Sequence, residues 1–411
     1  MRTRIRMVWR AALLAIVASA AAGFFVAHLE GGPGISDTVV YQRYGERMAG
    51  GDLPYRDFRV EYPPGALVPF VLPALITDTR DEYDAVFRAL MLASLAAIAV
   101  LLVLALQALR ASPLRLAASV GVFLLGVAVL GPFVLTRFDL YAAAVTLVAI
   151  CAVLHGRDRL GSMLLGVAIA TKIYPAVLLP LLVTRIWRRE GRPAALRSLG
   201  LTVATALVIY LPFFILAPEG VMMSVWRQVG RPLQIESLGS AVLLALHQAA
   251  GMPLGWASGA GSQNLTGAVA IVASGATTVL GVAALAFVWG RFARGDTDSA
   301  DRFAQYGAGA IVAFVVFGKV LSPQFLVWLL AAVVLVPGRR GVVASALLLA
   351  ACGLTRLWFP GSYWALVKQF DPTASWLVLA RDVVLVAVFA ALVVRIRARE
   401  REPAGSPSPV Q

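Results

Sequence analysis

Long apolar runs broken by short polar stretches recur from one end of the chain to the other. A run of about 20 apolar residues crosses a bilayer as a helix, because only a helix satisfies every backbone group in hydrocarbon. The pattern predicts about twelve crossings, at 9–29, 85–108, 115–131, 139–154, 160–172, 174–188, 196–216, 265–290, 304–319, 322–337, 341–356 and 375–395. The segments 160–172 and 174–188 are too short to span alone. They meet at Thr171-Lys172-Ile173-Tyr174-Pro175, where the proline interrupts the helical pattern. Such a break is either a tight hairpin near the surface or irregular backbone lining a pocket. The predicted class is therefore an all-α polytopic membrane protein.

The polar breaks alternate in charge. Arg2, Arg4, Arg6 and Arg10 precede the first apolar run. Further basic clusters fall at Arg110/Arg115, Arg157/Arg159, Arg185 to Arg197, Arg291/Arg294/Arg302, Arg339/Arg340 and the carboxyl-terminal RIRARERE. One threading puts all of them on the cytoplasmic side, as the positive-inside rule requires, with both termini cytoplasmic in a plasma membrane. The competing reading of the amino end is a signal peptide, since the small residues Ala18 to Ala22 resemble a cleavage region. Two long outer loops follow, 30–84 and 217–262, and residues 1–395 form one membrane domain. Residues 396–411 read as a disordered tail. Within the loops, Tyr62 to Ile76 and Ser237 to Gly251 are apolar but short, which fits helices lying along the membrane surface.

Composition agrees: 60% of residues are hydrophobic, 14% are charged, and the mean hydropathy is +0.81. An ordinary soluble enzyme, a disordered chain and a disulfide scaffold are all excluded. The net charge of +14 reflects topology, not a nucleic-acid partner, because the cations sit between apolar runs. Cys151 and Cys352 lie within apolar segments and read as inert thiols. His28, His155 and His247 are far apart, no metal or nucleotide motif occurs, and no cofactor is indicated.

Charge is reversed in the first outer loop, where 30–84 carries ten acids against five arginines. Asp37 follows Ser36, a good N-cap, at the start of a short helix reaching Met48. Helical spacing sets Asp37, Tyr41 and Tyr44 on one face. Asp37 either supports the helix start or offers a carboxylate to a proton or a sugar hydroxyl. Glu61 and Tyr62 are either loop residues before a proline turn or a polar wall of the same pocket. The chain's three lysines, Lys172, Lys319 and Lys368, all fall on the outer side, as do Arg137, Arg356 and Arg381. Cations there snorkel, pair with an acid, or meet an anionic ligand. Arg137 and Asp139 are close enough to pair with each other, whereas Lys172, Lys319 and Arg356 lack a local acid and suit a phosphate.

The run from Ser36 to Leu75 resembles the first outer loop of the polyprenyl-phosphate-dependent membrane glycosyltransferases of family 87, in the GT-C superfamily. The shared pattern is Asp37, Tyr41, Gly50-Gly51-Asp52, Tyr55 and Tyr62-Pro63-Pro64. Gly166, Lys172 and Pro175 match a second segment. The likeness is convincing over 30–215, and the later helices agree mainly in hydropathy. Thr136-Arg137-Phe138-Asp139 departs from the Gly-Asn or Gly-Gln common in the family before the fourth span.

The resemblance implies an inverting hexosyltransferase, of the kind actinobacterial mannosyltransferases represent. It would take sugar from a polyprenyl phosphate to a glycolipid or cell-envelope glycan at the outer face. On this reading Asp37 is the general base. Lys172, Lys319, Arg356 and Arg137 bind the donor phosphate, and Tyr41, Glu61, Tyr62, Asp139 and Gln324 form the sugar and acceptor pocket. A transporter or flippase is the rival class, but no internal repeat is visible and the ionisable residues gather at one face.

Overall fold

The computed structural model describes residues 2–28 and 35–394. The chain runs α1 (Arg2–His28), α2 (Thr38–Ala49), α3 (Val68–Ala74), α4 (Arg80–Ala108), α5 (Pro113–Leu130), α6 (Asp139–Leu154), α7 (Asp158–Thr171), α8 (Leu179–Glu190) and α9 (Arg192–Leu216). It continues through α10 (Pro218–Val229), α11 (Leu238–Ala250), the strands β1 (Gly255–Gly259) and β2 (Ser262–Thr266), α12 (Ala268–Ala293) and α13 (Ala300–Val316). Then come α14 (Leu326–Val333), α15 (Gly338–Trp358), α16 (Tyr363–Gln369) and α17 (Pro372–Val393).

Every predicted crossing is occupied by one of these helices, in two places preceded by a short 3₁₀ turn, Tyr174–Leu178 and Pro323–Phe325. Six helices among the described residues, α4, α5, α9, α12, α15 and α17, are long and apolar enough to cross a bilayer by themselves. The carboxyl-terminal tail and Glu30 lie outside the described residues.

Local sequence sets the helix ends. Thr79 and Glu82 form a reciprocal capping box at the start of α4. Ser112, Ser237, Ser299 and Asp371 cap α5, α11, α13 and α17 through side-chain oxygens. Small residues let helices approach closely, as at Gly166, where an added Cβ would meet the Thr202 carbonyl of α9 at 2.4 Å. Exposed apolar side chains such as Leu207, Val208 and Ile215 on α9 and Ile271, Val272 and Val279 on α12 form faces suited to lipid.

The bundle has two chemically distinct ends. At one, Asp158 at the start of α7 pairs with Arg189 near the end of α8 (2.6 Å). There too, Arg185 donates to the carbonyls of Asp298 (2.7 Å) and Thr297 (3.4 Å), and Arg115 donates to that of Leu335 (2.8 Å). The basic clusters assigned to one side thus meet in space. At the other end lie both long loops and the turn after α7.

The second loop departs from expectation. Ser237 to Gly251 is a helix, but Ser240, Ala241, Leu243 and Leu244 are buried in the protein, leaving only Val242 and Leu246 among its large apolar side chains exposed. The loop also holds α10 and the hairpin β1–β2, the one sheet among the described residues. Its two-residue turn puts Ala260 (φ 51°) and Gly261 (φ 68°) both in the left-handed region, the geometry of a type I′ turn.

Candidate active site

The first outer loop is built against the break after α7. Gly50-Gly51-Asp52 turns the chain out of α2, with Gly51 at φ 94° and Asp52 paired to Arg47 (2.6 Å). Tyr55 then anchors the return, its hydroxyl donating to the Tyr62 carbonyl (2.6 Å). Beyond the two prolines, Gly65 packs so closely on the last turn of α7 that a Cβ there would meet Thr171 Oγ1 at 2.7 Å. The Tyr-Pro-Pro run and the lysine segment, a hundred residues apart in sequence, therefore touch.

At the break, Lys172 leaves the helix in an extended conformation (φ −156°, ψ 145°). The 14 residues of α7 rise only about 21 Å, short of the ~30 Å hydrocarbon layer. Irregular backbone at this depth needs protein or a cavity around it. It has both. A cavity of about 370 Å³ opens beside Lys172, Ile173 and Tyr174.

Eight of the ten predicted site residues line this cavity: Asp37, Tyr41, Glu61, Tyr62, Asp139, Lys172, Lys319 and Gln324. Part of its lining is apolar, from Gly281, Val282 and Leu285 of α12 and Phe314 and Phe317 around the end of α13. The ninth, Arg137, lies directly behind Asp37 as its ion-pair partner, almost fully buried, and also donates to the Ile35 carbonyl (3.2 Å). Arg356 is not at the cavity. It is half-buried near the end of α15, its guanidinium against Gly131.

The pairing of charges differs from expectation in three ways. Asp37, not Ser36, occupies the N-cap position of α2, and its side chain makes no capping bond; it faces Arg137 and accepts from the Tyr41 hydroxyl (3.4 Å). Arg137 does not pair with Asp139. Lys172, read as lacking a local acid, holds Asp139 instead, Nζ to Oδ1 at 2.6 Å. Sequence neighbours at i and i+2 across a helix start point apart, whereas the break after α7 brings Lys172 to the first turn of α6.

Aromatic rings complete the lysine's surroundings. Its ammonium lies 4.2 Å from the Phe138 ring centre, 4.6 Å from Trp328 and 5.4 Å from Phe325, each within cation–π range. Trp328 stacks on Tyr174 at 4.1 Å. Tyr41 stacks on Phe70 at 4.2 Å. Burial pushes the Tyr41 and Tyr62 hydroxyls well above the ordinary tyrosine range, so near neutral pH both remain protonated.

Sequence reasoning missed a third wall. Arg231, Gln234 and the hairpin tip Gly261-Ser262 line the cavity from the second loop. Arg231 donates through Nε to the Ala260 carbonyl (3.1 Å), and the tip packs on Glu61, whose Oε2 would lie 2.3 Å from a Cβ on Gly261. Just behind, Glu236 is fully buried, and that burial pushes its carboxyl up to about 8. Arg381 donates to its backbone carbonyl (2.7 Å) and pairs with Asp382 (2.6 Å). Arg231 and Glu236 gave no clear signal for this wall, since they stand among Glu219, Arg227 and His247 in a loop without periodic pattern. Lys368, at the end of α16, lies over Trp364 (5.2 Å) and away from the cavity. No three His, Cys, Asp or Glu side chains among the described residues converge closely enough to hold a metal ion.

The arrangement sets three carboxylates, two ammonium groups, the Arg231 guanidinium and hydroxyl donors around a space with an apolar flank. That suits chemistry on a hydroxylated, anionic and partly apolar ligand. Among solved structures, the chain is similar to ArnT from Cupriavidus metallidurans bound to undecaprenyl phosphate, with 16% identity, 93% of this chain and 76% of that chain covered, and a TM-score of 0.47. A search of curated proteins finds no match. The sequence profile of glycosyltransferase family 87 matches residues 61–323, a span that includes Glu61, Asp139, Lys172 and Lys319 and begins after Asp37. The chain is a member of glycosyltransferase family 87.

Proposed function

We propose that the protein moves a hexose, mannose first among the candidates, from a polyprenyl-phosphate sugar to a glycolipid or cell-envelope glycan. Transfer takes place at the outer face of the plasma membrane with inversion at the anomeric carbon, and both termini are cytoplasmic. The observation that carries this reading is that Asp37, Lys172 and Lys319 share one cavity whose lining is also partly apolar.

Each part has a task. Asp37 takes the proton from the acceptor hydroxyl as its oxygen attacks the anomeric carbon from the face opposite the phosphate. Such base catalysis contributes on the order of 10² to 10⁴ in rate. Arg137 orients that carboxylate. The bond between the anomeric carbon and the phosphate oxygen breaks as the new glycosidic bond forms, through an oxocarbenium-like state. Lys172 and Lys319 stabilise the charge gathering on the departing polyprenyl phosphate. The lipid chain lies along the wall made by α12 and α13, so the donor stays in the bilayer. A transporter reading is disfavoured by membership of a glycosyltransferase family.

The test is to offer purified protein a panel of polyprenyl-phosphate sugars and to follow donor consumption and product configuration by NMR. Consumption of the mannosyl donor with inversion supports the proposal. Failure to consume any donor, or Asp37→Asn turning over at the wild-type rate, overturns it.

A further inference from the structure

The two faces of α10, a twelve-residue helix in the second loop, differ sharply. On one, Ala217, Val221, Ser224 and Gln228 follow helical spacing and turn inward, the first three buried. Gly220 lies so close to the Tyr55 carbonyl that no side chain would fit there, and the Tyr55 ring meets Phe213 of α9 edge-on at 5.3 Å. The Gln228 side chain donates to the Glu61 carbonyl (2.6 Å) and lines the cavity. The inner face of α10 is therefore fixed to the first outer loop and to the rim of the site.

The other face carries Met222, Met223, Val225 and Trp226, all exposed, Trp226 at 69% and Met222 at 58%. Glu219 is the one charged residue beside them, and it stands in the first turn, where the helix end favours a carboxylate. Water is a poor neighbour for four large apolar side chains gathered on one helix face. Nor can α10 cross a bilayer, because 12 residues rise only about 18 Å against a hydrocarbon layer of ~30 Å. The patch continues the exposed apolar surface of α9, which reaches Leu211, Ile215 and Leu216, and only Ala217 separates the two helices. A short helix with one apolar face, a tryptophan on that face and a direct connection to a lipid-facing span suits the membrane surface.

We infer that α10 is an in-plane membrane anchor: Met222, Met223, Val225 and Trp226 lie among phospholipid acyl chains just below the headgroups, in the leaflet at the loop end of the bundle. The surface position that hydropathy suggests for Ser237 to Gly251 falls to α10 instead. Because Gln228 ties the opposite face to Glu61, the anchor also holds the rim of the cavity near headgroup depth. The inference goes beyond the glycosyl-transfer reading and does not depend on it, since it concerns only where the helix sits.

Depth measurements on the full chain in phosphatidylcholine vesicles test it. An NBD fluorophore is attached to Met222→Cys, to Trp226→Cys or, as an aqueous control, to Arg56→Cys in an exposed turn of the first loop. The native Cys151 and Cys352 are buried, and wild type treated with the same reagent gives the background. The Met222→Cys and Trp226→Cys labels should be quenched at least about twofold more by a nitroxide on the fifth acyl carbon than by one on the sixteenth, as a depth of about 5 to 10 Å requires. Aqueous iodide should quench both at least about fivefold less than the Arg56→Cys label, again because the face lies below the headgroups.

Iodide quenching equal to that of the control puts the face in water and overturns the inference. Stronger quenching by the deeper nitroxide sinks the helix into the bilayer core and overturns the in-plane position. Protection from iodide and from both nitroxides, with Trp226→Cys disulfides joining two copies, assigns the face to a second copy of this chain instead of lipid. Should a labelled variant misfold, native Trp226 serves in its place, read as the difference in fluorescence between wild type and Trp226→Phe. That difference should fall more with lipids brominated near the headgroup than with lipids brominated near the chain end, and indifference to both overturns the anchor.

Discussion

Lys172 and Asp139 meet at 2.6 Å across the break between α7 and the following 3₁₀ turn, with the ammonium enclosed by three aromatic rings. The extended residue after α7 is thereby tied to the first residue of α6. Removing one member of such a buried pair strands the other, which typically costs about 3 kcal/mol or more. Lys172→Ala and Asp139→Ala should each lower the melting temperature of the detergent-solubilised protein by several degrees. The double variant should lose less than the sum, and strict additivity would show that the pair carries no coupling.

Asp37 lines the cavity and is also the ion-pair partner of the buried Arg137. Asp37→Asn is expected to reduce turnover by about 10² to 10⁴ and, by stranding that guanidinium, to lower the melting temperature as well. Single-turnover rates alongside calorimetric melts check both halves. A large fall in stability with unchanged rate would assign the carboxylate to the fold.

Arg356 provides the contrast. Its guanidinium rests against Gly131, outside the cavity. Arg356→Ala should therefore leave donor KM within about twofold of wild type, since the side chain does not line the cavity. Lys172→Ala should raise it clearly more. Equal effects of the two variants would return Arg356 to the phosphate clamp.

Burial holds the Glu236 carboxyl up near 8, above the ordinary carboxylate range. The folded protein then binds a proton that the unfolded chain releases between about pH 4.5 and 8. Stability from this group is fully present below that window and declines as pH rises through it. Glu236→Gln should flatten the fall in melting temperature between pH 5 and 8. A wild-type profile as flat as the variant's would contradict the raised value.

Gly166 packs on the Thr202 carbonyl of α9, where a Cβ would come within 2.4 Å. Backbone cannot yield as a flexible side chain does, so Gly166→Ala should destabilise by about 1 to 3 kcal/mol through overpacking. Wild-type melting behaviour would mean that α7 and α9 slide apart freely.

Much of the architecture was legible in the chain because hydropathy and charge act locally. An apolar run such as 85–108 or 375–395 has one low-energy state in hydrocarbon whatever surrounds it, and the alternation of arginine clusters orders those runs without knowledge of contacts. The break at Lys172 and Pro175 and the acidic first loop were visible for the same reason, and eight of the named site residues do converge on one cavity. Partners were a different matter. Arg137 stands two residues from Asp139 yet pairs with Asp37, and Lys172 reaches an acid 33 positions away. Neither pairing follows from spacing, because a charge is satisfied by whichever group the packed helices bring within a few ångströms. The wall formed by Arg231, Gln234 and Glu236 is assembled from a loop, a hairpin and the carbonyl of Lys319, parts with no common periodicity. Sequence alone thus determined a helical membrane protein and the residues available for chemistry, since solvation is a property of each segment. Tertiary structure decided which of those residues face one another, since proximity is a property of the whole bundle.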